Sequence, residues 1–203
     1  MNLNKGNIME KFYELFRRDL KTQRLELRVL EPTPENAELV WNAIKDEDPE
    51  NFKYINWTPE YKKPLPESFE ETLKQMQQEY NRDVIPNGAV WYVFHNGKLI
   101  GHHGLFYFDS NNSAQSGNVW FIKSAQGQGF NQEIWNMLIK MLFEQLGANR
   151  IMRQCMADNT RSQKSIASSG FHLDGRIRAS TRMSDGTYMD QLVFTKLVNE
   201  YNK

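Results

Sequence analysis

The sequence predicts an α/β fold: a mixed, mostly antiparallel twisted sheet with helices on both faces. Three observations predict it. Alternating apolar and polar residues cluster in mid-chain around Asn96-Gly97, a dipeptide that accepts positive φ at both positions and so reads as a tight hairpin turn. Stretches before and after that cluster carry apolar residues at helical spacing. From Asn118 to Ser169 the order is strand, glycine loop, helix, strand, helix, a βαβ-type arrangement appended to an antiparallel meander.

The elements follow in chain order. Residues 1–20 read as an N-terminal amphipathic helix, because Ile8, Phe12, Leu15 and Phe16 fall on one face and Lys11, Arg17 and Arg18 on the other. That face is expected to pack on the domain or on a second copy of the chain, with a membrane-surface role as the sharper alternative. Arg24 to Leu30 alternates charged and apolar side chains, the period of a half-buried strand. Thr33 caps a helix opening at Pro34, with Ala37, Val40, Trp41 and Ile44 on its buried stripe. A polar, proline-containing stretch carries Tyr54, Trp57 and Tyr61, after which Ser68 and Glu71 form a capping box for a helix whose face is Phe69, Leu73, Met76 and Tyr80. Strands are expected over 89–95, 98–108 and 118–123. A helix follows with Ile134, Met137, Leu138, Met141 and Leu142 inward, closing near Gly147. A strand over 150–157, a short helix over 161–169 stopped by Gly170, and a last strand over 188–197 complete the chain. Nothing resembling a linker or repeat divides residues 21–203, which read as one domain.

Composition narrows the function classes. The chain has 203 residues, 39% hydrophobic and 12% aromatic, too rich for a disordered segment. Its 25 Lys and Arg balance 25 Asp and Glu, so no global field recruits nucleic acid. Mean hydropathy is -0.70, no apolar run approaches membrane-spanning length, and the single cysteine, Cys155, closes no internal disulfide. A cytoplasmic protein without a membrane span is expected. The charge is divided along the chain: Glu31, Glu35, Glu47 and Glu71 belong to an acidic first half, whereas Arg150, Arg153, Arg161 and Lys164 belong to a basic stretch after the glycine loop. Such a division suits an anionic ligand on one side and a cationic one on the other, although ordinary surface alternation explains it as simply.

Gly127 and Gly129 lie where a strand hands over to a helix, where exposed N–H groups and the positive helix end make an anion site. Two glycines alone leave a phosphate site and a plain tight turn both open. There is no third glycine for a dinucleotide fingerprint and no Gly-Lys-Ser/Thr for a nucleotide loop. The surrounding residues say more. Trp120 to Glu133, then Asp158-Asn159-Thr160-Arg161-Ser162, then Ser169 to Gly175, taken with a Thr-x-Arg-Leu-x-Leu-Arg strand at Thr22 to Arg28 and Leu99-Ile100-Gly101 at the hairpin, resemble the GNAT superfamily of acetyl-CoA-dependent N-acetyltransferases. The RimJ/RimL branch is the most similar, and the resemblance spans about Thr22 to Glu200.

The resemblance implies a GNAT-like fold over 21–203 and transfer of an acetyl group from acetyl-CoA to a primary amine, a protein N-terminus or a small amine, by direct attack on the thioester. No metal is implied. The implied donor-binding residues are Phe121, Ile122, Lys123, Gln126, Gly127, Gln128, Gly129, Phe130, Asn131, Asn159, Ser162 and Lys164. Asn131 stands where the family's loop usually has a small residue. Ser162 is the implied acid for the leaving thiolate, with helix capping as its plain alternative, and backbone N–H groups of Phe121 to Lys123 are candidates to polarise the carbonyl. The base is left open between His102 or His103, which as strand neighbours face opposite sides, and Asp190, which a structural ion pair explains equally well. Cys155 reads as a core residue rather than a nucleophile. A catalytically inactive, CoA-binding or regulatory module of the same shape is the competing expectation.

Overall fold

A computed structural model describes residues 5–55, 65–81, 85–183 and 185–201. Among them one sheet runs in the order β1-β2-β3-β4-β5-β6-β8-β7. Its strands are β1 (Leu20–Lys21), β2 (Leu25–Arg28), β3 (Gly88–His95), β4 (Lys98–Phe108), β5 (Ser113–Phe121), β6 (Arg150–Met156), β7 (His172–Arg182) and β8 (Tyr188–Leu197). All neighbours pair antiparallel except β5 and β6, which are parallel. The parallel pair is the one joined through a helix, α4 (Phe130–Lys140), as a crossover requires.

Both faces of the sheet are covered, and alternation along β3 shows how. Trp91 and Val93 join Ile134, Leu138 and Leu142 in one apolar layer, while Tyr92 and Phe94 join Ala37, Val40 and Met76 in another. The first layer lies under α1 (Lys5–Phe16), α4 and α5 (Thr160–Ser168), the second under α2 (Pro34–Ile44) and α3 (Phe69–Tyr80). Thr33 accepts the Asn36 N–H at 3.3 Å and Ser68 accepts that of Glu71 at 3.1 Å, so each cap sits where its sequence places it. Tyr80, expected on the inward face of α3, is 46% exposed because the helix is in its last turn there and has moved past the sheet. The last turn after α4 widens into a π turn over Met141–Leu146, closed by Gly147 at φ 82°.

The N-terminal helix packs on the sheet. Phe12 stacks on Tyr107 at 5.5 Å and Phe16 meets Trp91 edge-on at 6.5 Å, both phenylalanines being fully buried. Each contributes about 1.5–3 kcal/mol by leaving water. The Trp91 Nε1–H donates to the Arg18 carbonyl at 2.9 Å, and Arg17 Nε–H to that of Gly88 at 2.8 Å. The apolar face that a membrane-surface role would use is thus turned inward.

Three strands differ from expectation: β1 pairs with β2 over Leu20–Lys21, beyond the helix, which ends at Phe16 rather than at residue 20. β5 begins at Ser113 rather than Asn118, since pairing with β4 and β6 on both sides extends a segment of mixed polarity. β7 was not anticipated at all: it is an edge strand whose side chains are mostly exposed, so it carries no apolar alternation.

One irregularity positions the site. β4 and β5 lose register where His103 faces Val119 and Leu105 faces Ser116, so that Gly104 of one strand opposes both Gly117 and Asn118 of the other, a bulge. A Cβ on Gly117 would lie 2.9 Å from the Gly104 backbone, and one on Gly104 3.2 Å from Gly117 Cα. The bulge therefore exists because two glycines let the backbones touch, and it bends β5 away from β6. Gly117→Ala should lower unfolding free energy by about 1–3 kcal/mol, more than Gly104-independent positions on the surface such as Asn111→Ala; chemical denaturation with an unchanged midpoint would show that the contact does not hold the bulge.

Candidate active site

β5 and β6 pair only over Ser113↔Arg150, Ala114↔Ile151 and Gln115↔Met152. Beyond those pairs both strands continue apart, and a cleft of about 570 Å³ opens between them, lined by Asn118 to Phe121 on one wall and Arg153 to Met156 on the other. Its mouth is formed by Gln126, Gly127 and Gly129 to Gln132 of the loop and α4, and by Asn159, Arg161 and Ser162 at the start of α5.

Gly127 and Gly129 both have φ 78°, a left-handed conformation costly to other residues, and a Cβ on Gly127 would meet nothing within 4 Å. The turn aims the first N–H groups of α4, which have no carbonyl one turn back to bond, toward the cleft mouth. A clamp holds this helix end. Glu133 accepts from Thr22 Oγ1 at 2.6 Å, from the Arg24 N–H at 2.8 Å and from Arg24 Nε at 2.6 Å, and the Arg24 guanidinium lies 4.6 Å over the Phe130 ring. Burial would raise the Glu133 pKa, but the bonds from Thr22 and Arg24 hold it below the usual carboxylate range. Sequence reasoning missed this clamp, because its members are more than a hundred positions apart. Their only local signal was the recurrence of Thr and Arg in the opening strand.

The side chains of the loop turn back on the protein. Gln126 Nε2 donates to the Phe121 carbonyl at 2.9 Å while its Oε1 accepts from Arg161, tying β5 to α5. Gln128 Nε2 donates to the Ser124 carbonyl at 2.6 Å, and Gln128 does not line the cleft. What the loop offers inward is therefore backbone. Asn131 lines the cleft from the first turn of α4.

Asn159 caps α5, its Oδ1 accepting the Ser162 N–H at 3.1 Å. The Ser162 hydroxyl lies beside the Cys155 thiol, and burial pushes that thiol above its ordinary pKa, so Cys155 is a neutral, mostly buried side chain. Lys164 is exposed and outside the cleft lining, since helical rotation from Ser162 carries it to the outer side. Ile122 and Lys123 also stand outside the lining, and their N–H groups are already used: that of Ile122 by the Ile100 carbonyl at 2.9 Å, that of Lys123 by Glu47 Oε2 at 2.9 Å. They cannot polarise a substrate carbonyl. The bulge at Gly117-Asn118, where the ladder lapses inside the cleft, is the better place for such a donor.

The candidate bases fall elsewhere. Asp190 accepts from Arg176 Nε at 2.5 Å and from the Ala179 N–H at 2.7 Å, a structural bond between β7 and β8. His102 and His103 face opposite sides, as strand neighbours must, and neither lines the cleft. His102 Nε2 is 3.2 Å from Glu79 Oε2 beneath α3, and its Nδ1 is 3.2 Å from the Asn118 carbonyl. Burial works to raise Glu79, but the adjacent His102 and bonds from Gln75 and Tyr92 keep it ionised below its usual value. Tyr54 stands at the cleft edge, 3.5 Å from the Asp158 carbonyl; Trp57 and Tyr61 lie outside the described residues. No cluster of three or more His, Cys, Asp or Glu suited to a metal occurs among the described residues, and no helix there is long and apolar enough to cross a membrane.

Because Glu79 and His102 are buried against each other, Glu79→Leu should destabilise by about 3–5 kcal/mol, and the double change Glu79→Leu, His102→Phe by clearly less. Equal losses in urea unfolding would mean that the two side chains are not coupled.

Residues 24–172 match the acetyltransferase (GNAT) domain family. The uncharacterized N-acetyltransferase p20 of Bacillus licheniformis is 29% identical over 182 residues, 90% of this chain and 97% of that one. Among solved structures, the ribosomal L7/L12 α-N-protein acetyltransferase RimL in complex with coenzyme A superposes with a TM-score of 0.73 at 21% identity, over 90% of this chain and 99% of that one. The microcin C7 self-immunity acetyltransferase MccE, solved with acetyl-CoA and AMP, superposes at 0.73 with 20% identity, over 86% and 93%.

Proposed function

The chain belongs to the GNAT acetyltransferase family and is an acyltransferase, and on that premise we propose that residues 21–203 transfer an acetyl group from acetyl-CoA to a primary amine, a protein N-terminus or a small amine. The observation that carries the proposal is the pair of left-handed glycines presenting the free N–H groups of α4 at the mouth of the β5–β6 cleft. That donor set fits a pyrophosphate: backbone N–H groups, a positive helix end, and Arg161 alongside. The solved relatives that carry CoA or acetyl-CoA support the same ligand. The motifs at Thr22 to Arg28 and around Gln126 to Asn131 support the RimJ/RimL branch, and a donor made and used in the cytoplasm is consistent with action there.

Acetyl-CoA supplies a thioester, already activated toward nitrogen. The protein then has three tasks. It orients the carbonyl toward the bulge at Gly117-Asn118, where the irregular ladder lies inside the cleft and a backbone N–H can stabilise negative charge on the oxygen at little reorganisation cost. It receives the amine from the α2–α3 side, where Glu31, Glu35 and Glu47 favour a cation. It returns a proton from the Ser162 hydroxyl to the departing sulfur. The acceptor, an ammonium at pH 7 with a pKa of about 8 to 10.4, must lose its proton first. No carboxylate or histidine is among the described residues of the cleft lining, so that proton leaves through water. As the C–N bond forms the C–S bond breaks, giving an amide and CoA thiol.

Calorimetric titration should show acetyl-CoA binding, weakened at least tenfold in Gly129→Val, where a branched side chain meets φ 78°; absence of heat in the unaltered protein would sink the reading. A panel of N-terminal peptides, polyamines and amino sugars, followed by thiol release, then identifies the acceptor, and donor binding with no acceptor-dependent release would point to a non-catalytic module. Ser162→Ala should lower kcat about 10²-fold with the acetyl-CoA KM nearly unchanged, whereas unaltered kcat would leave Ser162 a capping-turn residue only.

A further inference from the structure

Arg153 on β6 is only 4% exposed, yet among the described residues it has no hydrogen bond and no carboxylate within reach, and its Nη1 is wholly buried. Its guanidinium rests over the rings of Trp135 at 4.4 Å and Phe171 at 5.4 Å. Burial lowers its pKa to about 9, which still leaves it charged at neutral pH. A buried, unpaired cation is among the least favourable features a fold can carry.

It is not the only unsatisfied group there. Both ring nitrogens of His103 and Nε1 of Trp135 are also buried without a partner. His103 stands 5.3 Å from the Trp135 ring and is held neutral by its burial and by the nearby Arg153 charge. Proteins rarely leave several polar groups unpaired in one place unless something else completes them.

The place is informative. Arg153 immediately follows Met152, the last β6 residue paired with β5, so it stands at the closed end of the cleft that it lines. The glycine loop lies past the other end of β5, and the strand from Gln115 to Phe121 covers about 20 Å. A pantetheine arm anchored by its pyrophosphate at that loop reaches back along the strand, so the acyl end of the donor arrives at the guanidinium. An acetyl group offers Arg153 a methyl and leaves its charge unpaired.

Resting on the acyl-CoA reading above, we infer that this cleft holds, more tightly than acetyl-CoA, an acyl-CoA whose acyl chain ends in a carboxylate, that carboxylate pairing with Arg153. Arginine suits the role because its planar fork binds a carboxylate through two parallel N–H bonds. His103, which lies behind Arg153 and outside the cleft lining, is neutral and so adds no competing charge. Transfer balances as for acetyl: the acceptor nitrogen bonds the thioester carbon, the C–S bond breaks, the nitrogen sheds its proton to water, the sulfur takes a proton from Ser162, water returns one to Ser162, CoA leaves as the thiol, and the distal carboxylate keeps its charge.

The test is calorimetry of the full chain with acetyl-CoA, butyryl-CoA and succinyl-CoA, the last two sharing a chain length and differing in the carboxylate. Succinyl-CoA should bind about tenfold or more tighter than butyryl-CoA, and Arg153→Met should abolish that difference. Ligand-free Arg153→Met should also melt at or above the temperature of the unaltered protein, because methionine removes an unpaired buried charge. Equal binding of succinyl-CoA and butyryl-CoA by the unaltered protein overturns the inference even if the variant fails to fold, and so does a preference that survives in Arg153→Met. Failure of all three thioesters to bind would instead defeat the acyl-CoA reading itself.

Discussion

The parting of β5 from β6 is the constraint on which the remaining features depend. Three residue pairs hold the strands parallel, after which a two-glycine bulge against β4 turns β5 aside. A sheet that stayed closed there would have no cleft and no place for the first turn of α4 to meet a ligand. The glycine loop is useful because it follows a strand that has already moved away from its neighbour, and the Thr22, Arg24 and Glu133 clamp keeps the helix end at the opening.

Electrostatics divides across the sheet at a single strand. On the α3 side His102 is matched with Glu79, a closed pair that adds nothing to the cleft except a bond to the Asn118 carbonyl. On the α4 side His103 is neutral and Arg153 unmatched. Two adjacent histidines thus experience opposite environments because strand geometry sends them to opposite layers. Titratable groups in this molecule are mostly spent on structure, as with Asp190 and Arg176 between the last two strands, and the cleft is lined mainly by amides, hydroxyls and backbone. An acyl transfer to nitrogen tolerates such a lining, since the thioester needs orientation and charge stabilisation more than it needs a strong base.

Local signals in the sequence were legible where local physics decides. Thr33 and Ser68 cap their helices through bonds spanning three residues, and Asn96-Gly97 turns a hairpin by its own φ preferences. Gly127 and Gly129 could be recognised for the same reason. Features set by distant partners were not legible. Glu133 looks like any first-turn acid until Thr22 and Arg24 arrive beside it. The Lys123 N–H looks available until Glu47 occupies it. The exposed strand β7 carries no apolar alternation because neither of its faces is buried. Arg153 read as one basic residue among several, since nothing in its neighbours along the chain announces that its place in the fold lacks an acid.

The N-terminal helix has a consequence for the order in which the molecule assembles. Arg18 is bonded to Trp91 across 73 positions, and Phe12 waits for Tyr107 and for the apolar layer contributed by α4. During synthesis α1 therefore emerges well before the strands that cover it. A twelve-residue helix is marginal in isolation, so it forms late, and its docking seals the aromatic layer from outside after the meander is in place. Such long-range closure slows folding relative to a chain whose contacts are local. It also makes the helix a natural point of engagement for whatever holds the unfinished chain, because its phenylalanines stay exposed until the strands they cover exist.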